Sequence, residues 1–163
     1  MSEVTLSYHV PLSAAELRNH GVPEPWNYAI RYRTTFGELD AQGHISNVTY
    51  LRWFEAFRVS YLRDYGWPEY ATEHGTPMVL RRIEVDYLKE VSLSEDIIVT
   101  GRIISVGKSS CVMNYGVWSD GLRATGSAVL VFLDGNGNKS SLPGDLQKQA
   151  ILNDQAILRP MSS

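Results

Sequence analysis

Residues 47–65 carry the feature that most narrows the fold. At helical spacing, Tyr50, Leu51, Phe54, Phe57, Tyr61, Leu62 and Tyr65 fall on one broad face, and Gly66 with Pro68 closes the helix. A single buried aromatic side chain removes roughly 150–250 Å² from water. So many rings on one helix need an enclosing partner, such as a sheet wrapped around it.

The rest of the chain supplies such a sheet. Tyr28, Ile30, Tyr32 and Thr34 alternate with Ala29, Arg31, Arg33 and Thr35, which predicts a strand with one buried face. After the helix, "MVLRRIEVDYL", "DIIVTGRIISV", "CVMNYGVW" and "RATGSAVLVFL" follow at hairpin spacing, and "DGNGNK" is a turn. The expected order is strand, helix, then four strands in meander. That is an α+β fold, with a long central helix wrapped by a five-stranded antiparallel sheet. Residues 1–27 read as an N-terminal arm. Ser13 and Glu16 stand at capping-box spacing and Gly21 stops a short helix over residues 14–20. Residues 28–152 form the main domain and 153–163 a tail. Short helices are also expected within "WPEYATEHG" and from Pro143 to about Ile151.

Composition excludes several function classes. The formal net charge of −3 does not suit sequence-independent nucleic-acid binding, which needs a basic surface. Cys111 is the only cysteine, so no intrachain disulfide and no Cys-based zinc site can form, and its strand face is the usual setting of an unreactive buried thiol. The opening "MSEVTLSYHVPLS" lacks the basic and apolar regions of a secretory signal, and no apolar run approaches the ~20 residues of a membrane span. A soluble cytoplasmic protein is expected, with neither nucleic acid nor membrane as partner. His9, His20, His44 and His74 lie in separate contexts, so no metal site is expected.

Among chemical motifs, "VGKSS" fails as a phosphate-binding loop. The required glycine six residues before Lys108 is Arg102, and the stretch joins two strands. Neither G-x-S-x-G nor H-E-x-x-H occurs. The informative stretch is "FGELDAQGHISNVTYLRWFEAFR". Asp40 sits in a loop tightened by Gly43, and Ser46 or Asn47 caps the helix that follows. The first turn of that helix offers unpaired backbone N–H groups and the positive end of its dipole, suited to an oxyanion. A carboxylate across a carbonyl from that turn can act as general base on water or attack directly. A loop carboxylate that only stabilises the helix is the alternative reading.

The run "LDAQGHISNVTYLRWFEAFR" resembles the hotdog-fold acyl-CoA thioesterases of the 4-hydroxybenzoyl-CoA thioesterase-like group, through Asp40, Gly43, Asn47, Tyr50, Glu55 and Arg58. "VDYLKEVSLSEDIIVTGRI", "SVGKSS" and the Pro143 segment resemble that family's later elements, so the likeness covers roughly residues 28–152. It implies a thioesterase that hydrolyses an acyl-CoA, or an acyl-carrier-protein thioester, with Asp40 as base or nucleophile and the backbone N–H at or near Asn47 as oxyanion contact. One departure is Ser46-Asn47, where relatives of the 4-hydroxybenzoyl-CoA enzymes often carry Tyr-His or Trp-Tyr. An aromatic substrate is therefore not implied. Coenzyme A enters as part of the substrate and no separate cofactor is implied. The family pairs its protomers, so a homodimer or tetramer with the site between subunits is expected.

Around this centre, Gly43, His44, Ile45, Tyr50, Trp53 and Arg58 are candidate substrate-binding residues, with Arg81 and Lys108 as candidate phosphate contacts. Each has a structural alternative. Asn47 serves as helix cap, His44 hydrogen-bonds Asp40, Glu55 pairs with Arg58 along the helix, and Tyr50 and Trp53 pack in the core. Two rival functions are a non-catalytic acyl-CoA sensor and a hydratase or dehydratase. The second needs an Asp-His pair placed differently from Asp40 and His44.

Overall fold

A computed structural model describes residues 7–160. Its elements in chain order are β1 (Pro11–Leu12), α1 (Ala14–Asn19), β2 (Ala29–Arg33), α2 (Asn47–Asp64), β3 (Met78–Tyr87), β4 (Asp96–Val106), β5 (Ser110–Trp118), β6 (Leu122–Phe132), α3 (Leu146–Asp154) and β7 (Ile157–Leu158). The α+β class holds, but the sheet has seven strands, not five. Its order is β1-β2-β4-β5-β6-β3, and β7 pairs with β4 in parallel while the other pairings are antiparallel. The two extra strands come from the arm and the tail, where two residues each carry no periodic signal.

Strand order departs from the expected four-strand meander as well. β4, β5 and β6 are consecutive neighbours, whereas β3 lies beyond β6 at the far edge. The alternation in β3 reports which face is buried, not which strand it joins.

α2 spans 18 residues, about 27 Å at 1.5 Å per residue. Phe54, Phe57, Tyr61 and Leu62 are fully buried in one core with Ile97, Val99, Ile103, Met113, Tyr115 and Leu130 of the sheet. A row across the strands explains how the helix comes so close. Gly101 of β4 pairs with Tyr115 of β5, which pairs with Gly126 of β6. The glycines leave room for rings: a β-carbon at Gly126 would meet Phe54 at 2.8 Å, and one at Gly101 would run into Phe57. Between them, Tyr115 stacks on Phe54 with centroids 4.4 Å apart.

The arm has its own small core. Leu12, Leu17 and Val22 pack with Ala29 of β2 and Ile98 of β4, beside Trp26 and Trp118. The predicted capping box of α1 is present, with Ser13 Oγ accepting from Glu16 N–H and Glu16 accepting from Ser13 N–H. Arg31, buried on the same side, donates to Ser7 C=O and contacts His20 Nε2. The arm thus covers one sheet face near β2, and β1 occupies the β2 edge.

Two predicted helices change. Residues 68–75 form successive turns (Tyr70 N–H to Trp67 C=O, Thr72 N–H to Glu69 C=O), and Ala71 at φ 59° prevents a regular helix. The last helix begins at Leu146, three residues after Pro143, and runs to Asp154. Asp154 then reaches back: its Oδ2 accepts from Ile103 N–H at 2.8 Å and from Tyr61 Oη. Ile103 falls between the stretches of β4 paired with β2 and with β7. The carboxylate therefore fills a gap in the ladder.

Candidate active site

The N-terminal end of α2 opens onto a cleft of about 600 Å³, and the loop before the helix forms one wall through Asp40, Ala41, Gln42, His44 and Ile45. Asn47 and Tyr50 form the floor, and Tyr87 through Val91, where β3 ends, form the opposite wall.

The Asp40 loop is built by its own carboxylate. Asp40 Oδ1 accepts the backbone N–H of Gln42 at 2.8 Å and of His44 at 3.1 Å. Asp40 N–H donates to His44 C=O at 2.7 Å, and Gly43, at φ 80°, supplies the left-handed residue that closes the turn. Ser46 N–H to Glu38 C=O and Ile45 N–H to Val91 C=O fasten the loop on both sides. Asp40 is exposed, so its carboxylate also faces solvent and cleft.

Asn47 is the first helical residue and not the cap. The cap position is Ser46, whose side chain makes no capping hydrogen bond. Among the described residues no acceptor takes the N–H of Asn47 or Val48, and both point out of the first turn as α-helix geometry requires. Asn47 C=O accepts from Tyr87 Oη at 2.8 Å, tying the helix start to β3. Tyr50 stands perpendicular to Tyr87 with centroids 5.0 Å apart. Burial raises the hydroxyls of both above the usual tyrosine range, so both remain neutral donors.

His44 does not place its imidazole on Asp40. Its ring Nε2 lies 3.2 Å from Glu90 Oε2 on the opposite wall, and His44 meets Asp40 through its backbone N–H and C=O. Of the other candidate residues, Ile45 and Tyr50 line the cleft, while Gly43 serves the turn behind it. Trp53 is buried, its indole N–H donating to Glu38 at 3.2 Å, which braces the loop from beneath.

Arg58 is buried in the core. It donates to Tyr115 Oη at 3.2 Å, and its Nε has no partner. The expected pair with Glu55 is absent: Glu55 is exposed, and no carboxylate of the described residues lies within 4.0 Å of Arg58. Arg58 points under the helix while Glu55 points away. Arg81 sits at the bulge of β3 between Leu80 and Arg82, and Lys108 in the β4–β5 hairpin; neither lines the cleft.

Sequence reading missed the second wall. Lys89 is the basic side chain that lines the cleft, next to Glu90. This wall is held by Arg123 of β6, itself nearly buried. Arg123 C=O accepts Leu88 N–H at 2.9 Å and Lys89 N–H at 3.0 Å. Its guanidinium donates to Glu90 C=O and Ser119 C=O and pairs with Glu95 at 3.0 Å. No local motif links Arg123 to Glu90, 33 residues away in sequence. Among the described residues no cluster of three or more His, Cys, Asp or Glu is arranged to hold a metal, and no helix is long and apolar enough to cross a membrane.

Residues 34–150 match the thioesterase-like superfamily. The crystal structure of a thioesterase superfamily protein from Jannaschia sp. CCS1 superposes with a TM-score of 0.87 at 31% identity, covering 95% of this chain and all of that one. A thioesterase from Thermus thermophilus, solved with coenzyme A and zinc, gives a TM-score of 0.71 at 29% identity over 85% of this chain and all of its own. The uncharacterized protein YsmA of Bacillus subtilis is 29% identical over 119 residues, 72% of this chain and 80% of its own.

Proposed function

The chain belongs to the thioesterase-like superfamily, and on that premise we propose that it hydrolyses an acyl-CoA thioester to the free acid and coenzyme A. Asp40 acts as general base on water or as nucleophile, and the N–H groups of the first α2 turn take the oxyanion. One observation carries this reading. A carboxylate and the unpaired amides of Asn47 and Val48 belong to one braced loop–helix junction that opens on a single cleft. Oriented amides at a helix start are worth several kcal/mol where negative charge develops. The coenzyme A bound by the Thermus thermophilus structure supports the same ligand class here. The pattern Asp40, Gly43 and Trp53-x-Glu55-x-x-Arg58 supports a place in the 4-hydroxybenzoyl-CoA thioesterase-like group.

The working unit is a homodimer joined through β3. Among the described residues this ten-residue strand pairs on one side only, with β6; Val79, Leu80 and Tyr87 on it and Leu88 just past its end are exposed. An open strand edge of this length, with both apolar and charged side chains exposed, is a pairing surface. Since Tyr87 and Leu88 also line the cleft, the partner borders the site. Sedimentation equilibrium then reads twice the chain mass, and Leu80→Lys lowers it.

The deciding experiment is thiol release from short, long and aromatic acyl-CoAs by wild type and Asp40→Asn. Asparagine keeps an oxygen for the Gln42 and His44 amides, so the loop persists. A hundredfold or greater loss in the variant supports the reading. Binding of an acyl-CoA by wild type without thiol release overturns it in favour of a sensor.

A further inference from the structure

We propose that His44 is the general acid that protonates the departing sulfur, and that Glu90 is its positioning residue. The inference rests on the thioester-hydrolase reading and adds to it the second proton-handling group. Hydrolysis needs two proton transfers, one from water and one to the thiolate; Asp40, acting as general base, takes the first.

Three observations converge on this pair. His44 and Glu90 come from opposite walls of one cleft and meet at 3.2 Å through ring Nε2 and Oε2. Both stand on held backbone: His44 donates its N–H to Asp40 Oδ1 and accepts Asp40 N–H, while Glu90 C=O is gripped by buried Arg123. The two side chains are 43% and 70% exposed, so the pair itself is worth ~0–1 kcal/mol, and it is the held backbone that places the ring. Third, the carboxylate engages Nε2 and leaves Nδ1 as the ring nitrogen available to substrate. With Nε2–H directed at Glu90, the proton that the imidazolium can give away is the one on Nδ1. Lys89 and Asp40 are the other charged side chains on the cleft wall.

The steps balance. Asp40 takes a proton from water as the water oxygen bonds to the carbonyl carbon, and the C=O electron pair moves onto the oxygen facing the α2 amides. As that pair returns, the C–S bond breaks and its electrons go to sulfur, which receives the Nδ1 proton of His44. The proton on Asp40 passes through solvent to reset His44. Water and thioester give acid and thiol.

The test varies the leaving group. An aryl thiolate departs without a proton, whereas an alkyl thiolate such as that of coenzyme A benefits from one. The kcat/KM of His44→Ala and Glu90→Gln, relative to wild type, is measured on an acyl-CoA and on the S-phenyl thioester of the same acid. General acid catalysis contributes roughly 10²–10⁴-fold. His44→Ala is expected to lose at least about 100-fold on the acyl-CoA and under 10-fold on the aryl thioester, with Glu90→Gln showing the same preference more weakly. Equal losses on both substrates overturn the general-acid role and leave the hydrolase reading standing. No thiol release by wild type overturns both.

Discussion

Phe57 of α2 lies directly on Gly101 of β4, with no space for a β-carbon between the ring and the strand. Helix–sheet distance in this protein is therefore set by glycine. The same device recurs where Phe54 meets Gly126, and Tyr115 fills the strand between. Since α2 carries the Asn47 end of the cleft, packing in mid-helix determines where the site's amides stand.

Gly101→Ala tests that relationship. The added methyl forces Phe57 off its position, an overpacking that costs about 1–3 kcal/mol. Urea unfolding should show a lowered midpoint, and Gly101→Ala paired with Phe57→Leu should recover part of the loss. Independent additive losses would show that ring and glycine are not coupled.

Asp154 makes stability depend on pH. Burial lifts its carboxyl from 3.8 to about 6, although Tyr61 and Ile103 N–H oppose the rise. The fold therefore holds the proton more tightly than the unfolded chain does. The contribution is fully present below pH 3.8 and is lost as pH rises through 6. At 1.36 kcal/mol per pH unit this amounts to about 3 kcal/mol. Asp154→Asn keeps an acceptor for Ile103 and removes the titration. Between pH 4 and 7, wild type should lose stability relative to the variant by about that amount, read from denaturant midpoints. A constant difference across the range would contradict the burial argument.

Arg58 is a buried cation, and no carboxylate of the described residues lies within 4.0 Å of it. Desolvating a charge costs several kcal/mol, and one hydrogen bond to Tyr115 offsets little of it. Arg58→Met, similar in length and apolar, should leave stability unchanged or raise it by up to about 4 kcal/mol. A strong loss in thermal unfolding would mean that the guanidinium is compensated by more than Tyr115.

Cys111 is fully buried and its thiol is pushed up to about 12 by desolvation. Thiolate is the reactive form, so alkylation at pH 8 should follow global unfolding and not precede it. Fast labelling of the native protein, measured by mass spectrometry, would show that β5 opens locally.

Local pattern made much of this protein legible. The aromatic stripe of α2 and the strands of β2 through β6 follow from local pattern, but β2, expected to bury one face, buries Ala29 through Tyr32 on both, because the arm packs on the second face. The capping box at Ser13 and the turn at Asp40-Gly43 are short-range chemistry, so they too could be read directly. Family resemblance then joined Asp40 to the helix start. Each of these depends on residues a few positions apart.

What the tertiary structure alone decided involves distant residues. The placing of β3 beyond β6, the two added strands, the second cleft wall with Lys89 and Glu90, and the Arg123 and Asp154 tethers all join residues that no local spacing relates. Arg58 and Glu55 are a case in reverse: their spacing allows a pair, but packing against Tyr115 turned one inward and left the other in solvent. Periodicity tells each residue which side to bury; only the folded sheet tells it what it will meet there.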